Sequence, residues 1–249
     1  MLELNRISAG YGKQTVLDGI SVDFEKGKLT SIIGVNGCGK STLLKAILGI
    51  LSLSNGEIFI DGENLLTISR KEIAKKIAYL SQGKNIPDMT VEQMVLHGRF
   101  PYLSYPRRYS SHDREVAIKA MEIVGVAEFA HKPLYSLSGG MRQNAYIAMA
   151  LAQDTDYILL DEPTTYLDIA HQLELMRILR KLADSGKGIV AVMHNLPIAF
   201  DFSDKLTVMS NGKLIAYGTP SEICESHIVE DIFGVKIKQV QKGKYLYEY

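Results

Sequence analysis

The fold is decided by Gly34-Val35-Asn36-Gly37-Cys38-Gly39-Lys40-Ser41, which matches the pattern G-x-x-x-x-G-K-[ST]. The apolar run Leu29 to Ile33 precedes it and the helix-like stretch Thr42 to Leu48 follows it, as the motif requires. Glycines let the backbone fold around an anion, so that successive N–H groups and the positive end of the next helix point at phosphate oxygens. The stretch therefore predicts a phosphate-binding loop between a buried strand and a helix.

The end of this loop carries chemistry that a structural glycine turn does not explain. Lys40 would reach the β- and γ-phosphates of a nucleotide, and Ser41 would ligate Mg²⁺. Downstream, the apolar run Tyr157 to Leu160 ends in Asp161 and Glu162. Ligands of doubly wound sheets bind at the carboxyl ends of strands. Asp161 is therefore predicted to hold Mg²⁺ through its water shell, and Glu162 to orient and polarise an attacking water as general base.

The wider pattern predicts an α/β protein with a P-loop NTPase (RecA-like) core. Alternating runs between Leu2 and Ile60 indicate an antiparallel β subdomain, and helical spacing at about 84–153 predicts a helical insert subdomain. Strand and helix then alternate as in a doubly wound fold. We interpret 1–249 as one domain with a short C-terminal extension at about 220–249. In that extension Glu222 to Ile232 is predicted to be helical, and Val235 to Val240 with Tyr245 to Tyr249 to form a hairpin.

Charge and composition limit the partners. The chain has 28 basic and 28 acidic residues, so it lacks the overall field that would attract nucleic acid, which we do not expect as a partner. Cys38 and Cys224 lie in unrelated contexts, which fits a reducing cytoplasm rather than a disulfide scaffold. Cys38 also lies near a helix start, where a thiolate is favoured, so we hypothesise that it is reactive. No window approaches the roughly 18 to 20 apolar residues of a membrane span, so any membrane role is expected through a partner.

A second candidate anion site follows in Leu137-Ser138-Gly139-Gly140-Met141-Arg142-Gln143. Ser138 can cap the next helix, and the two glycines leave its first N–H groups uncovered. An ordinary capped helix after a Ser/Gly turn would use the same residues. The stretch nonetheless resembles the LSGGQ-like signature of the ABC ATPase family, which lies just upstream of the acidic strand, as it does here.

This resemblance implies that the chain works as a pair. In the family, two subunits associate head to tail, and the signature of one completes the nucleotide site of the other. Ser138, Gly139 and Gly140 would then contact the γ-phosphate held by the partner's Lys40, with ATP and Mg²⁺ as the ligands. Asp168 matches the loop that crosses the dimer.

The same resemblance assigns further residues in family order. Tyr11 matches the aromatic residue that stacks on adenine, and Gln82 the glutamine that senses Mg²⁺ and couples to the membrane subunit. His194 matches the histidine that contacts the γ-phosphate and positions the catalytic carboxylate, so that it joins Glu162, Gln82 and Lys40 as catalytic residues. The other implied ATP contacts are Val16, Asn36, Gly37, Cys38, Gly39, Ser41 and Thr42.

Two stretches indicate the direction of transport. His97 to Tyr102 and Asp161 to Gln172 resemble the branch that energises uptake of iron-siderophore, haem and cobalamin complexes. Its members pair two ATPases with two permeases and a substrate-binding protein, periplasmic or a lipoprotein. The resemblance implies a homodimer at the cytoplasmic face of the membrane that powers import of a metal chelate, foremost an iron-siderophore complex. Arg and aromatic residues favour Arg99 to Tyr102 as a permease-facing segment.

Other functions share the same catalytic motifs. The chain could be the ATPase subunit of a cobalamin or haem importer, or of an exporter. ABC-type ATPases also act in DNA and ribosome work, but those usually carry coiled coils, zinc modules or two cassettes in one chain, and the sequence shows none of these.

Overall fold

The computed structural model describes residues 1–82, 86–241 and 243–248, and of residue 248 it describes the backbone alone. In chain order the strands are β1 (Leu2–Tyr11), β2 (Gln14–Phe24), β3 (Leu29–Gly34), β4 (Leu53–Ile60), β5 (Glu63–Asn64), β6 (Ile77–Leu80), β7 (Tyr157–Asp161), β8 (Gly188–Val192), β9 (Lys205–Ser210), β10 (Lys213–Gly218), β11 (Lys236–Gln241) and β12 (Lys244–Glu248). The α-helices are α1 (Lys40–Ile47), α2 (Arg70–Lys76), α3 (Val91–His97), α4 (Ser111–Ile123), α5 (Gly139–Ala152), α6 (Ile169–Asp184), α7 (Leu196–Phe202), α8 (Pro220–Glu225) and α9 (Ile228–Phe233).

A mainly parallel sheet forms the centre of the molecule. Its strand order is β10-β9-β3-β8-β7-β6, with β3 parallel to both β8 and β9, and β7 parallel to β6 and β8. Every residue of β3 is buried, as expected of a parallel strand covered on both faces. The predicted buried strand Leu29 to Ile33 and the α/β class are thus confirmed. Because β3, β8, β7 and β6 run the same way, their carboxyl ends meet at one edge of the sheet.

An antiparallel sheet of order β2-β1-β4-β5 packs beside this core and confirms the strands predicted between Leu2 and Ile60. Its inward side chains alternate with exposed ones along each strand, because one face of the sheet contacts the core. Leu43, Leu44 and Ile47 of α1 are fully buried in the same hydrophobic cluster as this face. The antiparallel sheet therefore supports the phosphate loop and α1 from below.

Helices α3, α4 and α5 occupy the stretch where strand signals faded. Helix α4 begins three residues before the predicted Arg114 and ends at Ile123, one residue before the predicted Val124. Helix α5 begins two residues before the predicted Met141 and ends at Ala152 as predicted, whereas the sequence does not single out α3. The predicted start of the insert, Lys84, lies outside the described residues. The helices pack through small and branched apolar residues, and Val95, Ala117 and Ala145 are at most 1 % exposed.

The structure contradicts the predicted permease-facing role of Arg99, whose residue is only 4 % exposed. Its guanidinium donates to Asp113 Oδ1 at 2.9 Å and to the Ala152 carbonyl at 2.9 Å. It also stacks 3.9 Å from the ring centroid of Tyr102, whose hydroxyl donates to the Gln153 carbonyl. Arg and Tyr side chains can anchor a fold internally as well as an interface, and here they fasten the segment to the end of α5. Phe100 is 46 % exposed, and its contact with a permease stays a prediction.

The C-terminal extension differs from the prediction in one respect. The single helix predicted from Glu222 to Ile232 is wrong, because His227 has a left-handed backbone, with φ of 58°, which separates α8 from α9. The predicted hairpin is confirmed as β11 paired with β12, although Lys242 at its turn and Tyr249 lie outside the described residues. Tyr245 fastens the hairpin to α7, since its backbone N–H donates to Asp201 Oδ1 at 2.9 Å and its ring packs 5.1 Å from that of Phe200.

Across the parts of the chain that the structure describes, we find no helix with the length and apolarity that a membrane crossing demands.

Replacement of Arg99 by Ala should lower the free energy of unfolding by about 3–5 kcal/mol, because it leaves the Asp113 carboxylate buried without its ion partner. Urea unfolding followed by circular dichroism measures the loss. Arg114→Ala is the control, because the Arg114 side chain is 54 % exposed where it meets Glu92 and should contribute only about 0–1 kcal/mol. Equal losses in the two variants would contradict the internal role of Arg99.

Candidate functional site

The phosphate loop has the backbone conformation that its glycines allow. Gly37 and Gly39 have φ of 79° and 105°, in the left-handed region that side chains disfavour. Gly39 is the N-cap of α1, so the free N–H groups of that helix open into the loop. A side chain at position 39 would also be crowded, since a Cβ at Gly39 would lie 3.0 Å from the Leu17 side chain. The loop is therefore an open cradle of backbone donors at a helix start.

Lys40 is 6 % exposed and donates through Nζ to the Gly34 carbonyl at 2.7 Å and to the Val35 carbonyl at 3.1 Å. Both acceptors belong to the loop itself, which keeps the ammonium group over the cradle. Asn36 and Gly37 at the tip are exposed, whereas Cys38 and Thr42 are buried. A phosphate group in the cradle would therefore meet the backbone N–H groups and the Lys40 charge together.

Ser41 and Asp161 form a pair of hard oxygen donors beside the loop. Ser41 Oγ donates to Asp161 Oδ1 at 3.0 Å, and the Tyr79 hydroxyl lies 3.4 Å from Asp161 Oδ2. Burial raises the pKa of the Asp161 carboxyl above its ordinary value, and the nearby Glu162 charge raises it further, while the Ser41 hydrogen bond acts in the opposite direction. A hydroxyl next to one buried carboxylate fits Mg²⁺, which is usually held by one or two carboxylates plus phosphate and water oxygens.

The carboxylate of Glu162 is held by side chains from three places. His194 Nε2 lies 2.5 Å from Oε1, Gln82 Nε2 donates to Oε2, and Thr165 Oγ1 donates to the same oxygen at 3.2 Å. Glu162 also has a φ of 53°, which is rare for a side chain of this kind and occurs where surrounding contacts enforce it. The carboxylate is thereby fixed in one direction at the mouth of the site.

Sheet topology explains why these residues meet. Asp161 ends β7 and Glu162 follows it, His194 comes after β8, Gln82 comes after β6, and the phosphate loop begins at the end of β3. These strands lie side by side in the order β3-β8-β7-β6, so residues far apart in sequence gather at one edge.

Tyr11 ends β1 and Val16 lies near the start of β2, next to the loop. Tyr11 is 50 % exposed, with Lys45 Nζ 6.0 Å from its ring centroid, and the Val16 side chain borders Gly39. An exposed ring beside a phosphate cradle presents a flat apolar face of the kind on which a base can stack.

The second predicted anion site begins α5. Ser138 is the N-cap and accepts a hydrogen bond from the Met141 N–H, as predicted, while Ser138 and Gly139 are exposed. Gly139 lines a cavity of about 260 Å³ together with Gln82 and Glu162. No hydrogen bond within the described residues joins these signature residues to the phosphate loop of the same chain. Asp168 instead caps α6, where its side chain accepts from the His171 N–H.

Four residues that contact the predicted site residues or their loops were not predicted from the sequence. Thr165 and Tyr79 donate to the two acidic residues, Gln143 Nε2 donates to the Pro163 carbonyl at 2.9 Å, and His171 contacts both Asp168 and Gly140. For Thr165 a signal existed, because a hydroxyl residue three positions after an acid in a turn can reach back to it. The other contacts cross between elements, and spacing along the chain does not reveal them.

The structure contradicts the hypothesis that Cys38 is a reactive thiolate. Its residue is 4 % exposed, and burial raises the pKa of the thiol, against the opposing influence of Lys40. A helix start favours a thiolate only where solvent or a cation compensates the desolvation of the sulfur. Cys38 is therefore a small buried side chain of the loop, and its place among the ATP contacts rests on its backbone.

The fold and this edge of the sheet define a P-loop nucleotide-binding domain. The sequence profile of the ABC transporter family matches residues 17–165, which include the phosphate loop, the signature and both acidic residues. The chain therefore belongs to the ABC transporter family, whose cassette domains bind ATP. Among relatives, the ferric enterobactin transport ATP-binding protein FepC of Escherichia coli K12 is 40 % identical over 233 residues, which cover 93 % of this chain and 86 % of that protein.

Solved structures agree with this assignment. One, described as a metal-chelate type ABC transporter in an inward-facing conformation, superposes with a TM-score of 0.86 at 27 % identity and covers 100 % of this chain and 97 % of its own. A dimeric ABC cassette in a post-hydrolysis state, with ADP and phosphate bound, gives a TM-score of 0.74 at 28 % identity and covers 88 % of this chain and 99 % of its own. Both support an ABC cassette fold.

Cys38 should react slowly with N-ethylmaleimide at neutral pH, because burial limits access and the raised pKa lowers the thiolate fraction. Mass spectrometry of the tryptic peptide measures the rate in a Cys224→Ser background, so that one thiol is counted. Raising the pH should accelerate labelling, and unfolding in urea should accelerate it more. Labelling of the native chain as fast as that of the unfolded chain would show that Cys38 is accessible after all.

Proposed function

We propose that two copies of this chain hydrolyse ATP at composite sites, with Glu162 as the general base. The observation that carries the proposal is the grip on the Glu162 carboxylate by His194, Gln82 and Thr165. The Glu162 carboxylate lies beside the Ser41–Asp161 pair and on the same sheet edge as the phosphate loop. Phosphoryl transfer to water needs positioning and charge neutralisation more than covalent chemistry, and this edge supplies both.

Each residue then has a distinct part in the reaction. Lys40 and the loop N–H groups hold the β- and γ-phosphates, and Ser41 and Asp161 hold Mg²⁺. Bound Mg²⁺ would neutralise charge that develops on the phosphate oxygens. Glu162 accepts a hydrogen bond from the attacking water and orients it in line with the γ-phosphorus. His194 keeps the carboxylate in this direction and would contact the γ-phosphate.

The proposal uses two chains because no hydrogen bond among the described residues joins the signature to the phosphate loop of the same chain. Ser138 and Gly139 are exposed at a helix start, which is suited to bind an anion supplied by another molecule, whereas Gly140 is buried. The related cassette that was solved as a dimer with ADP and phosphate supports this arrangement. In the arrangement that we propose for this chain, ATP joins the two copies through both sites, and hydrolysis lets them separate.

We further propose that this motor powers import of an iron chelate through a separate membrane permease. Two similarities support the direction: the relative named for ferric enterobactin transport and the transporter described as metal-chelate type. The ATPase pair would dock at the cytoplasmic face of the membrane, with Gln82 close to the contact. A substrate-binding protein would deliver the chelate on the other side, and the chelate itself would not touch this chain.

Replacement of Glu162 by Gln should reduce ATP turnover by about 10²–10⁴-fold, because the amide keeps the shape of the side chain but cannot act as a base. ATP binding should persist, so size-exclusion chromatography with ATP should show a stable dimer. Phosphate release measures turnover, and the exposed Glu174 on α6 supplies the control Glu174→Gln, which should behave as wild type. Near-normal turnover by Glu162→Gln would refute its role as base.

Uptake in whole cells tests the transported class. In a host strain from which this gene is deleted, the wild-type chain should restore accumulation of a ⁵⁵Fe-labelled siderophore, and Glu162→Gln should not. Labelled cobalamin and haem are offered in parallel arms. Restoration of either of those without iron would redirect the proposal to that chelate, and restoration of none would argue against an uptake role.

A further inference from the structure

His171 lies in the first turn of α6 and contacts two segments, the Asp168 loop and the signature, which the family resemblance places at the interface between copies. On one side, its Nδ1 lies 2.8 Å from Asp168 Oδ2, and its backbone N–H donates to Asp168 Oδ1 at 2.9 Å. On the other side, its imidazole ring lies against the backbone of Gly140 in the signature. One side chain thus connects the Asp168 loop with the signature helix of the same chain.

The contact with Gly140 is unusually close. A Cβ at Gly140 would lie 2.3 Å from His171 Cδ2 and 2.8 Å from Nε2, distances that no real Cβ tolerates. Gly140 lies in the first turn of α5 and does not have a positive φ, so the backbone conformation alone would accept alanine. At the neighbouring Gly139, a Cβ would meet nothing within 4 Å. The glycine at 140 is therefore explained, in the described structure, by the ring that lies on it.

Other bonds hold the loop before α6 as one piece. Gln172 Nε2 donates to the Leu167 carbonyl at 2.9 Å and to the Thr164 carbonyl at 3.3 Å. From α5, Gln143 donates to the Pro163 carbonyl at 2.9 Å. The start of α5 therefore contacts this region at two points, one through Gln143 and one through the ring of His171. A shift of the signature helix would be passed to the loop.

Burial does not account for the His171 contacts. The side chains of His171 and Asp168 are 42 % and 65 % exposed, so neither belongs to the hydrophobic core. Their geometry is nevertheless specific, with both carboxylate oxygens of Asp168 engaged by the same residue. The hydrogen bonds to Asp168 hold this partly exposed ring in one place, so it is suited to fix the distance between the two segments that it contacts.

We infer that His171 is a positioning residue, which sets the distance between the signature at Gly140 and the loop that ends at Asp168. The inference deepens the proposed function and rests on it for its consequence. When two copies join, each signature and each Asp168 loop must reach the other copy together. With His171 between them they move as one unit, so that closure at one composite site and alignment at the other are coupled within each chain.

The contact itself is tested without nucleotide, by thermal unfolding of Gly140→Ala, His171→Ala and the double variant. Alanine is favoured over glycine inside a helix, so Gly140→Ala should raise the unfolding midpoint unless the ring obstructs it. We expect it to lower the midpoint in the wild-type background and to raise it in the His171→Ala background. Gly139→Ala is the matched control on the same helix, and its shift should be equal in both backgrounds.

The positioning role is tested by ATP turnover per nucleotide-binding chain, with the binding fraction measured by titration of a fluorescent ATP analogue. His171→Asn keeps a donor for Asp168 but removes the ring from Gly140, and His171→Phe keeps a ring but removes the donor. We expect intermediate turnover in both, and roughly tenfold lower turnover in His171→Ala, since small misplacements at a reacting site are costly. Analogue affinity should stay at the wild-type value in all three.

The outcomes separate the two proposals. Equal effects of Gly140→Ala on the unfolding midpoint in both backgrounds would show that the His171 ring does not obstruct position 140, and would overturn the inference. Wild-type turnover per binding chain in His171→Ala would overturn the positioning role even where the unfolding data show the contact. If the wild-type chain itself does not hydrolyse ATP, the proposed function fails, whereas the unfolding data still report on the contact between His171 and Gly140.

Discussion

Parallel pairing of β3, β8, β7 and β6 is the constraint on which the rest of the structure depends. Parallel strands end at the same edge of a sheet, so this pairing alone brings four chain segments together there. The segment after β3 carries backbone donors, an ammonium group and a hydroxyl, and the end of β7 carries two carboxylates. The segments after β8 and β6 carry His194 and Gln82, which contact the second carboxylate. The antiparallel sheet and the helices keep this edge in place, and the first turn of α1 adds Lys40 and Ser41 to it.

Two neighbouring acids illustrate how such an edge divides its work. Asp161 is buried at the end of β7 and meets the hydroxyls of Ser41 and Tyr79, whereas Glu162 points to the mouth and meets His194 and Gln82. In the proposed function, metal binding falls to Asp161 and base catalysis to the adjacent Glu162.

Two corrections have a common cause. Arg99 resembled an interface anchor and Cys38 a reactive thiolate, because each residue type often has that role in its local sequence context. In the structure Arg99 is paired with Asp113 and Cys38 is enclosed by the loop, so that neither is available to an outside partner. Exposure depends on what the rest of the chain places over a residue. Spacing along the chain carries little information about it.

The sequence by itself determined the phosphate loop, the acidic strand end, the signature helix start and the α/β class. All of these depend on near neighbours, through glycine freedom, helix capping and hydrophobic periodicity. Only the tertiary structure decided that Thr165 grips Glu162, that α8 and α9 are separate, and that the ring of His171 lies on Gly140. Of these, the contact between His171 and Gly140 joins residues that are 31 positions apart in the chain. It joins the first turns of α5 and α6, and only the assembled fold brings these two turns together.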